Sequence, residues 1–433
     1  MTVVRSADHA WMREMNVALI LECLRRQAPM SRAELALMTG LTKATVSSLV
    51  KELVDARFVR ETQIDPGHKG RPAIPLVLNE KVGFIIGVEV GVDSITALLT
   101  DFAAGIVWRH YEASRHTDPD GVLRRVVQVI NLAVAQAEAR GGAVLGLGLG
   151  VLGLVDVETG LLLYAPNLGW SNVPLRSRLE AEFNFPIYVD NEANLAALGE
   201  CYFGAARSSD FALYLSAGVG VGGGIVFNRR ILAGIAGVAG EVGHMVIDPN
   251  GPRCSCGNFG CWETFVNQAA LYRRVHAAIT AGQSSVLAAA NSFNPNPVNV
   301  ARVVEAARQG DAVAVAALEA IARYFGLGLT NLINALNPHR VVLGGEMGPA
   351  LEFGLPIILD VVASRALPGS RDSVEIVMAT HGSNGCAMGG IASIYRHVLS
   401  QPLAAVRRPM PAPAAVAASP FGVVTGLPSS QPA

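Results

Sequence analysis

At 433 residues the chain exceeds what one ordinary core organises, so two or three domains are expected. Hydrophobic residues make up 51% and the formal net charge is −1, which gives a soluble globular protein without a strong overall field and leaves room for one DNA-binding module inside a neutral total. No run reaches the uninterrupted apolar length of a membrane span and the first residues lack a signal peptide's apolar segment; with six cysteines this fits the reducing cytoplasm, where thiols serve metal rather than disulfides.

In the first eighty residues, Val17, Ile20, Leu21 and Leu24 recur at helical spacing. Ser31-Arg-Ala-Glu34 reads as a capping box opening a second helix that ends at Gly40. A third helix follows, apolar at Val46, Leu49, Val50, Leu53 and Val54, with Thr42, Lys43, Thr45, Ser47, Ser48 and Lys51 on or near its outer face. Short hydroxyls and lysines reach phosphates and base edges without steric cost, so these six are candidate DNA contacts on the recognition helix of a helix-turn-helix. Phe58-Val-Arg-Glu-Thr-Gln and Ala73-Ile-Pro-Leu-Val-Leu read as the two strands of a wing, with Lys69 and Arg71 at a tip suited to the minor groove. Residues 31–71 hold seven Lys plus Arg against five Asp plus Glu, a modest excess. A winged helix that binds protein is the alternative; helix face and wing together favour DNA.

Beyond this module, residues 1–80, strands and helices alternate as in an α/β fold. Phe84-Ile-Ile-Gly-Val-Glu-Val and Ile95-Thr-Ala-Leu-Leu-Thr-Asp form a hairpin, a helix is predicted near 121–139, and Val144-Leu-Gly-Leu-Gly-Leu-Gly-Val is a glycine-laced strand. Pro186-Ile-Tyr-Val-Asp190-Asn191-Glu192-Ala-Asn194 runs from a strand into a helix, and polar side chains at such a strand end face a ligand cleft. Helical stretches fill 300–336 and a last helix about 383–399 is predicted to pack back on the first lobe. From Gln401 the chain is Pro, Ala, Val and Ser without period, a disordered tail over 401–433.

The densest chemistry lies between Gly240 and Glu263. Cys254, Cys256 and Cys261 sit around Gly257 and Gly260, with His244 upstream, a spacing that suits a closed Cys3His set for structural zinc. Glu241 and Glu263 bracket the loop: they either hold the hydroxyls of a polyhydroxyl ligand, or Glu263 orients a ligand while Glu241 caps a helix or pairs with a cation.

Glu241-x-Gly-His244 followed by Cys-x-Cys-Gly-x-x-Gly-Cys-x-Glu resembles the signature of the ROK family, which contains sugar kinases and sugar-responsive repressors, and the likeness runs from about Val82 to Ser400. It implies a two-lobed, actin-like (ribonuclease-H-like) domain, with residues 82–190 and the helix 383–400 in the first lobe and 191–382 in the second. It also implies that His244 touches both zinc and sugar and that Glu241 and Glu263 hold sugar hydroxyls. Asn167, in Tyr164-Ala-Pro-Asn167-Leu-Gly-Trp170, resembles the family's Asn-Leu-x-Trp loop; a turn-stabilising Asn is the alternative. The glycine-laced strand is implied to run its backbone near the sugar.

Three departures bear on kinase activity. The first phosphate turn reads Glu89-Val-Gly91-Val92-Asp93-Ser94 where kinases have Asp-x-Gly-Gly-Thr, adding a branched side chain and a negative charge. The kinase Asn-Asp-x-Asn, whose Asp is the base, here reads Asn191-Glu192-Ala-Asn194; a carboxylate displaced by about 1 Å loses ~100-fold in rate, so Asn191 and Glu192 read as sugar contacts. Val219 replaces the second phosphate loop's threonine, and Gly344-Gly345 matches the adenosine-side turn. Family kinases lack the N-terminal module. The expectation is a DNA-binding, sugar-responsive regulator, a homodimer on operator DNA, zinc-stabilised, without catalytic residues or ATP and without membrane contact. Its Asn-Glu-Ala-Asn and Gly-Val-Gly motifs are closer to the family's xylose-responsive members than to its N-acetylglucosamine-responsive ones. An ATP-dependent sugar kinase with an accessory DNA-binding arm, or a sugar-binding scaffold without DNA, are the rivals.

Overall fold

The computed structural model describes residues 9–62, 74–114, 118–235, 237–288 and 299–400. Lys69, Arg71 and the tail from Gln401 lie outside the described residues.

Three helices open the chain, His9–Gln27, Arg32–Thr39 and Lys43–Asp55. The capping box forms as its spacing requires: the Glu34 amide donates to Ser31 Oγ at 3.2 Å and the Ser31 amide to Glu34 Oε2 at 2.7 Å. Gly40 ends the second helix in the left-handed conformation at φ 70°, and Thr42 caps the third by accepting from the Thr45 amide. Val17, Ile20, Leu21, Leu24, Leu35, Val46 and Val50 are fully buried. Short antiparallel strands Val59–Glu61 and Leu76–Leu78 pair with each other.

The rest is two lobes built on one plan. In the first, strands Phe84–Val90, Ser94–Asp101 and Ile106–Ala113 form an antiparallel meander, and Val144–Val151 and Ile187–Asn191 extend it in parallel. In the second, Phe211–Ala217, Val221–Phe227 and Arg230–Ile231 form the meander, and Arg340–Gly344 and Glu375–Met378 add in parallel. A small sheet of Leu154–Asp156, Leu161–Ala165 and Trp170–Pro174 projects from the first lobe. The predicted 300–336 segment divides into Val300–Arg308 and Ala312–Leu336. The latter is the one described helix long and apolar enough to cross a membrane, yet it is the spine of the second-lobe core, with Leu318, Ile321, Phe325, Leu329 and Ile333 fully buried.

Two helices lie between the sheets, Glu192–Phe203 and the last, Gly385–Ser400, which packs on the first lobe as predicted. Glycine sets how close they come. A Cβ on Gly389 would lie 1.7 Å from the Leu195 carbonyl oxygen, and one on Gly148 would lie 2.2 Å from that of Gly390. The glycine-laced strand, expected beside the sugar, therefore spends Gly146, Gly148 and Gly150 on contact with the last helix, because only bare backbone lets helix and sheet approach this closely.

The N-terminal module does not hang free. Its apolar residues and those of the last helix form one cluster, stitched by Phe58 edge-on to Phe102 at 5.4 Å and Phe102 stacked on Tyr395 at 5.0 Å. Arg25, whose side chain is 4% exposed, pairs with Glu22 at 2.7 Å, donates to the Tyr202 carbonyl and lies 4.7 Å over the Tyr202 ring. Glu22 also binds Arg229 at 3.1 Å. Removing one partner of such a buried charge network costs ~3–5 kcal/mol.

Candidate functional site

The zinc motif converges. The donor atoms of His244, Cys254, Cys256 and Cys261 all lie within 4.8 Å of one another. Cys254 Sγ is 3.5 Å from His244 Nδ1, and Cys256 Sγ is 3.7 Å from Cys261 Sγ. A tetrahedron with Zn–N near 2.0–2.1 Å and Zn–S near 2.3 Å has edges of roughly 3.5 and 3.8 Å, so the donor set fits the ion. Gly260, at φ 69°, must be bare, since a Cβ there would fall 1.5 Å from the Asp248 carbonyl oxygen. Burial pushes the Cys254 thiol up to about 12, with its hydrogen bond to Glu263 Oε1 at 3.0 Å acting the same way; a divalent cation reverses that balance by binding the thiolate. The Asn258 amide pulls the Cys256 thiol the other way, below its ordinary range.

The carboxylates sit around this knot. Glu263 Oε1 is 3.8 Å from His244 Nδ1 and Glu241 Oε2 is 3.8 Å from His244 Nε2, so the imidazole turns one nitrogen to the thiols and the other to Glu241. Glu241 begins the short 3-10 turn Val242–His244 without a side-chain capping bond, which removes the capping alternative. Burial, with Glu263 adding to it, raises its carboxyl above the usual range. Glu263, Asn167, Val219, Asn267 and Arg273 line a cleft of about 260 Å³.

Glu192 reaches the same region from the first lobe. In the turn after Phe211–Ala217 a Cβ on Gly220 would lie 2.8 Å from Glu263 Oε2, and in the next strand one on Gly222 would lie 3.2 Å from Ala193 Cβ and 3.7 Å from Glu192 Oε1. Gly224 leaves room for Ala193 and Ala197. Gly220, Gly222 and Gly224 thus each face a close neighbour that a larger side chain would meet. Burial, then the charges of Glu89, Glu241 and Asp190, pushes Glu192 up to about 8. Burial and Glu346 push Glu89 up to about 7.

Asn191 needs a correction. Its Oδ1 accepts from the Ala193 and Asn194 amides at 2.8 and 3.2 Å, and its Nδ2 donates to the Gly153 carbonyl at 3.0 Å and Glu192 Oε2 at 2.6 Å. Both amide protons and both lone pairs are spoken for, so Asn191 caps a helix and orients Glu192 rather than holding sugar itself. Strand-end position alone did not distinguish the two roles.

On the recognition helix, Thr42, Lys43, Ser47, Ser48 and Lys51 are exposed and Thr45 is half-buried, its hydroxyl 2.9 Å from that of Thr42. Thr42 and Thr45 therefore shape the helix start while the other four face outward. The junction residues Glu22, Arg25, Tyr202 and Arg229 escaped the sequence reading, because Arg25-Arg26 looks like a solvated helix end.

Residues 85–397 match the ROK family, and residues 15–63 match the IclR helix-turn-helix domain. The xylose repressor of Caldicellulosiruptor bescii is 33% identical over 396 residues, 91% of this chain and 99% of the relative. The glucokinase of Halalkalibacterium halodurans is 36% identical over 310 residues, 70% of this chain and 93% of that enzyme. A crystal structure of a ROK family transcriptional regulator, a homologue of the E. coli Mlc protein, superposes with a TM-score of 0.76 at 28% identity, covering 92% of this chain and 99% of that one. The chain belongs to the ROK family and carries an IclR-type helix-turn-helix at its N-terminus.

Proposed function

We propose that this protein is a sugar-responsive transcriptional repressor without kinase activity, a homodimer whose winged helices read operator DNA. Zinc held by His244, Cys254, Cys256 and Cys261 fixes the Glu241–Glu263 loop. Glu192, Glu241, His244 and Glu263, with Asn167 across the cleft, hold the sugar hydroxyls, and Asn191 orients Glu192. Lys43, Ser47, Ser48 and Lys51 meet the operator, with Lys69 and Arg71 of the wing beside them. The xylose repressors among the relatives put a pentose first among the sugars to try.

The observation that carries this reading is the helix Glu192–Phe203. Its first residue, Glu192, is one of the proposed sugar contacts, and its eleventh, Tyr202, lies under Arg25 of the DNA-binding module. At 1.5 Å per residue the twelve residues span roughly 18 Å, and the helix is locked to the last helix through Gly199 and Gly389. A sugar that favours one position of Glu192 biases this rigid pair, and with it the seat of the DNA-binding module. It does so only to the extent of its differential affinity for the two arrangements.

The glucokinase relative supports the rival reading of an active kinase with a DNA-binding arm. Against it stand Val92 and Asp93 in the first phosphate turn, Val219 in the second, and Glu192 in place of the kinase's shorter base. A coupled ATP assay over pentoses, hexoses and N-acetylated sugars tests the choice: no turnover is expected, and robust phosphorylation would overturn the repressor-only reading.

A further inference from the structure

The hairpin of Val221–Phe227 and Arg230–Ile231 is closed by two residues, Asn228 and Arg229, at φ 48° and 61°. A two-residue loop with both φ positive is a type I′ turn, for which Asn-Gly is the favoured pair. Asn tolerates the first position, but a long side chain at the second holds the left-handed conformation against its own Cβ. Strain of this kind persists where the surrounding contacts over-determine the residue.

Here those contacts reach the DNA-binding module. The Arg229 side chain is 13% exposed, and its Nη1 lies 3.1 Å from Glu22 Oε1. Its Nη2 donates to the Arg207 carbonyl at 2.9 Å, and its guanidinium stands 5.4 Å from the centre of the Tyr202 ring. Ile231, just past the turn, packs against the apolar cluster that the module shares with the last helix. The grip is incomplete: Nη1 meets Glu22 without the alignment of a hydrogen bond, and Nε has no hydrogen-bond partner among the described residues. Burial, with Arg25 and Arg26 adding to it and Glu22 opposing, holds the Arg229 guanidinium below its ordinary range. Glu22 also keeps Arg25 at 2.7 Å and Arg26 at 2.9 Å, so it stays paired when Arg229 withdraws. Such a contact is one that a small displacement makes or breaks.

The same strand begins at the sugar cleft. Gly220 and Gly222 face Glu263 and Glu192, and the Gly223 amide donates at 2.9 Å to the carbonyl of Gly240, the residue before Glu241. At 3.3 Å per residue the seven residues Val221–Phe227 span roughly 23 Å from there to the turn. The module's other footing is on the first lobe, where Phe58 meets Phe102 just past the strand Ser94–Asp101. The module therefore stands on both lobes, by apolar contact on one and by an ion pair on the other.

We propose that Arg229 is the positioning residue by which the second lobe holds the DNA-binding module, a contact made or broken by the strand Val221–Phe227 as the sugar cleft fills. This rests on the sugar-responsive reading above and adds a route separate from the helix Glu192–Phe203. Ring against ring tolerates sliding, whereas the ion pair is short and directional, so rotation between the lobes turns the module about its first-lobe footing. Arg229 is remote from the proposed sugar contacts; it sets how strongly occupancy is transmitted rather than how tightly sugar is held.

Retention of the protein's own promoter DNA at fixed salt, without sugar and with xylose and other monosaccharides at saturation, tests this. Arg229→Gly supplies the residue that the turn favours and leaves Glu22 paired, so it should fold. It is expected to cut a sugar response of about tenfold to about threefold or less, while sugar affinity without DNA, read by calorimetry, stays within about threefold. Arg229→Lys keeps a charge and is expected to give an intermediate response, and Arg230→Ala, at the exposed next position, the full one. A full response in Arg229→Gly, a response in Arg229→Lys no larger than in Arg229→Gly, or an equal loss in Arg230→Ala would overturn the proposal. A wild-type chain that answers no sugar would overturn the sugar-responsive reading itself, and this inference with it.

Discussion

The two lobes share a strand order, and each joins its first two strands by a three-residue turn: Gly91-Val92-Asp93 in the first lobe and Gly218-Val219-Gly220 in the second. In a nucleotide-handling member of this fold both turns would cradle phosphate. Here they have parted. The first turn carries the Asp93 carboxylate, and a Cβ on its Gly91 would meet only Ser94. The second stays bare at Gly220 because Glu263 lies against it. A glycine in such a loop can thus be kept bare by a neighbouring carboxylate, and its presence is not by itself a sign of ATP binding.

The His244–Cys254–Cys256–Cys261 cluster beside Glu263 is where this contrast is easiest to break. Cys261→Ser should abolish stoichiometric zinc, read by elemental analysis, and lower the melting temperature by ten degrees or more, since structural zinc sites contribute ~10 kcal/mol or more to folding their segment. An unchanged melting temperature in a zinc-free variant would remove the knot from the scheme. Glu263→Gln should fold normally, judged by its melting temperature, and lose about 10- to 100-fold in sugar affinity, the size of one charge-assisted hydrogen bond.

The turns can then be set against each other directly. Gly220→Ala puts a Cβ 2.8 Å from Glu263 Oε2 and should weaken sugar binding about tenfold by displacing that carboxylate. Asp93→Gly, the matching change in the first lobe, should leave sugar affinity as it was. Equal effects at the two turns in a sugar titration would mean that they still share a ligand. On the DNA side, Lys43→Ala should lower the salt slope of operator binding by about 1.8, since the homodimer loses one phosphate contact from each chain at about 0.9 apiece.

Acidity gives the smallest signal. Glu89 and Glu192 are raised from 4.5 to about 7 and about 8, chiefly by burial, so the folded chain holds their protons more tightly than the unfolded chain does. That contribution is complete below about pH 4.5 and is lost as pH rises through 7 to 8. The melting temperature of the sugar-free protein should therefore fall between pH 5 and 8, and Glu192→Gln should flatten the fall; a slope unchanged in that variant would place the titration elsewhere.

Much of this was legible in the sequence wherever the governing contacts are local. Ser31 and Glu34, Gly40, and the Cys254–Cys261 spacing are each fixed by a few neighbouring residues, and they fold as their spacing implies. Asn191 was misread because its competing roles, cap and sugar contact, differ only in where its amide hydrogen bonds end, which includes the Gly153 carbonyl 38 positions away. The glycines of Val144–Val151 were credited to the ligand, although the helix they admit lies at the other end of the chain. Arg25 meets Tyr202 across 177 positions, and no local pattern marks it as a buried member of an ion-pair network rather than a solvated cation.

The most direct single measurement is retention of the protein's own promoter DNA at fixed salt during titration with xylose and other monosaccharides, with and without ATP. One sugar is expected to change retention by tenfold or more, by the same amount in either condition and without forming sugar phosphate. Retention that no sugar alters at saturation, or that responds only when ATP is present, would contradict the view that an occupied sugar cleft is what the DNA-binding module reports.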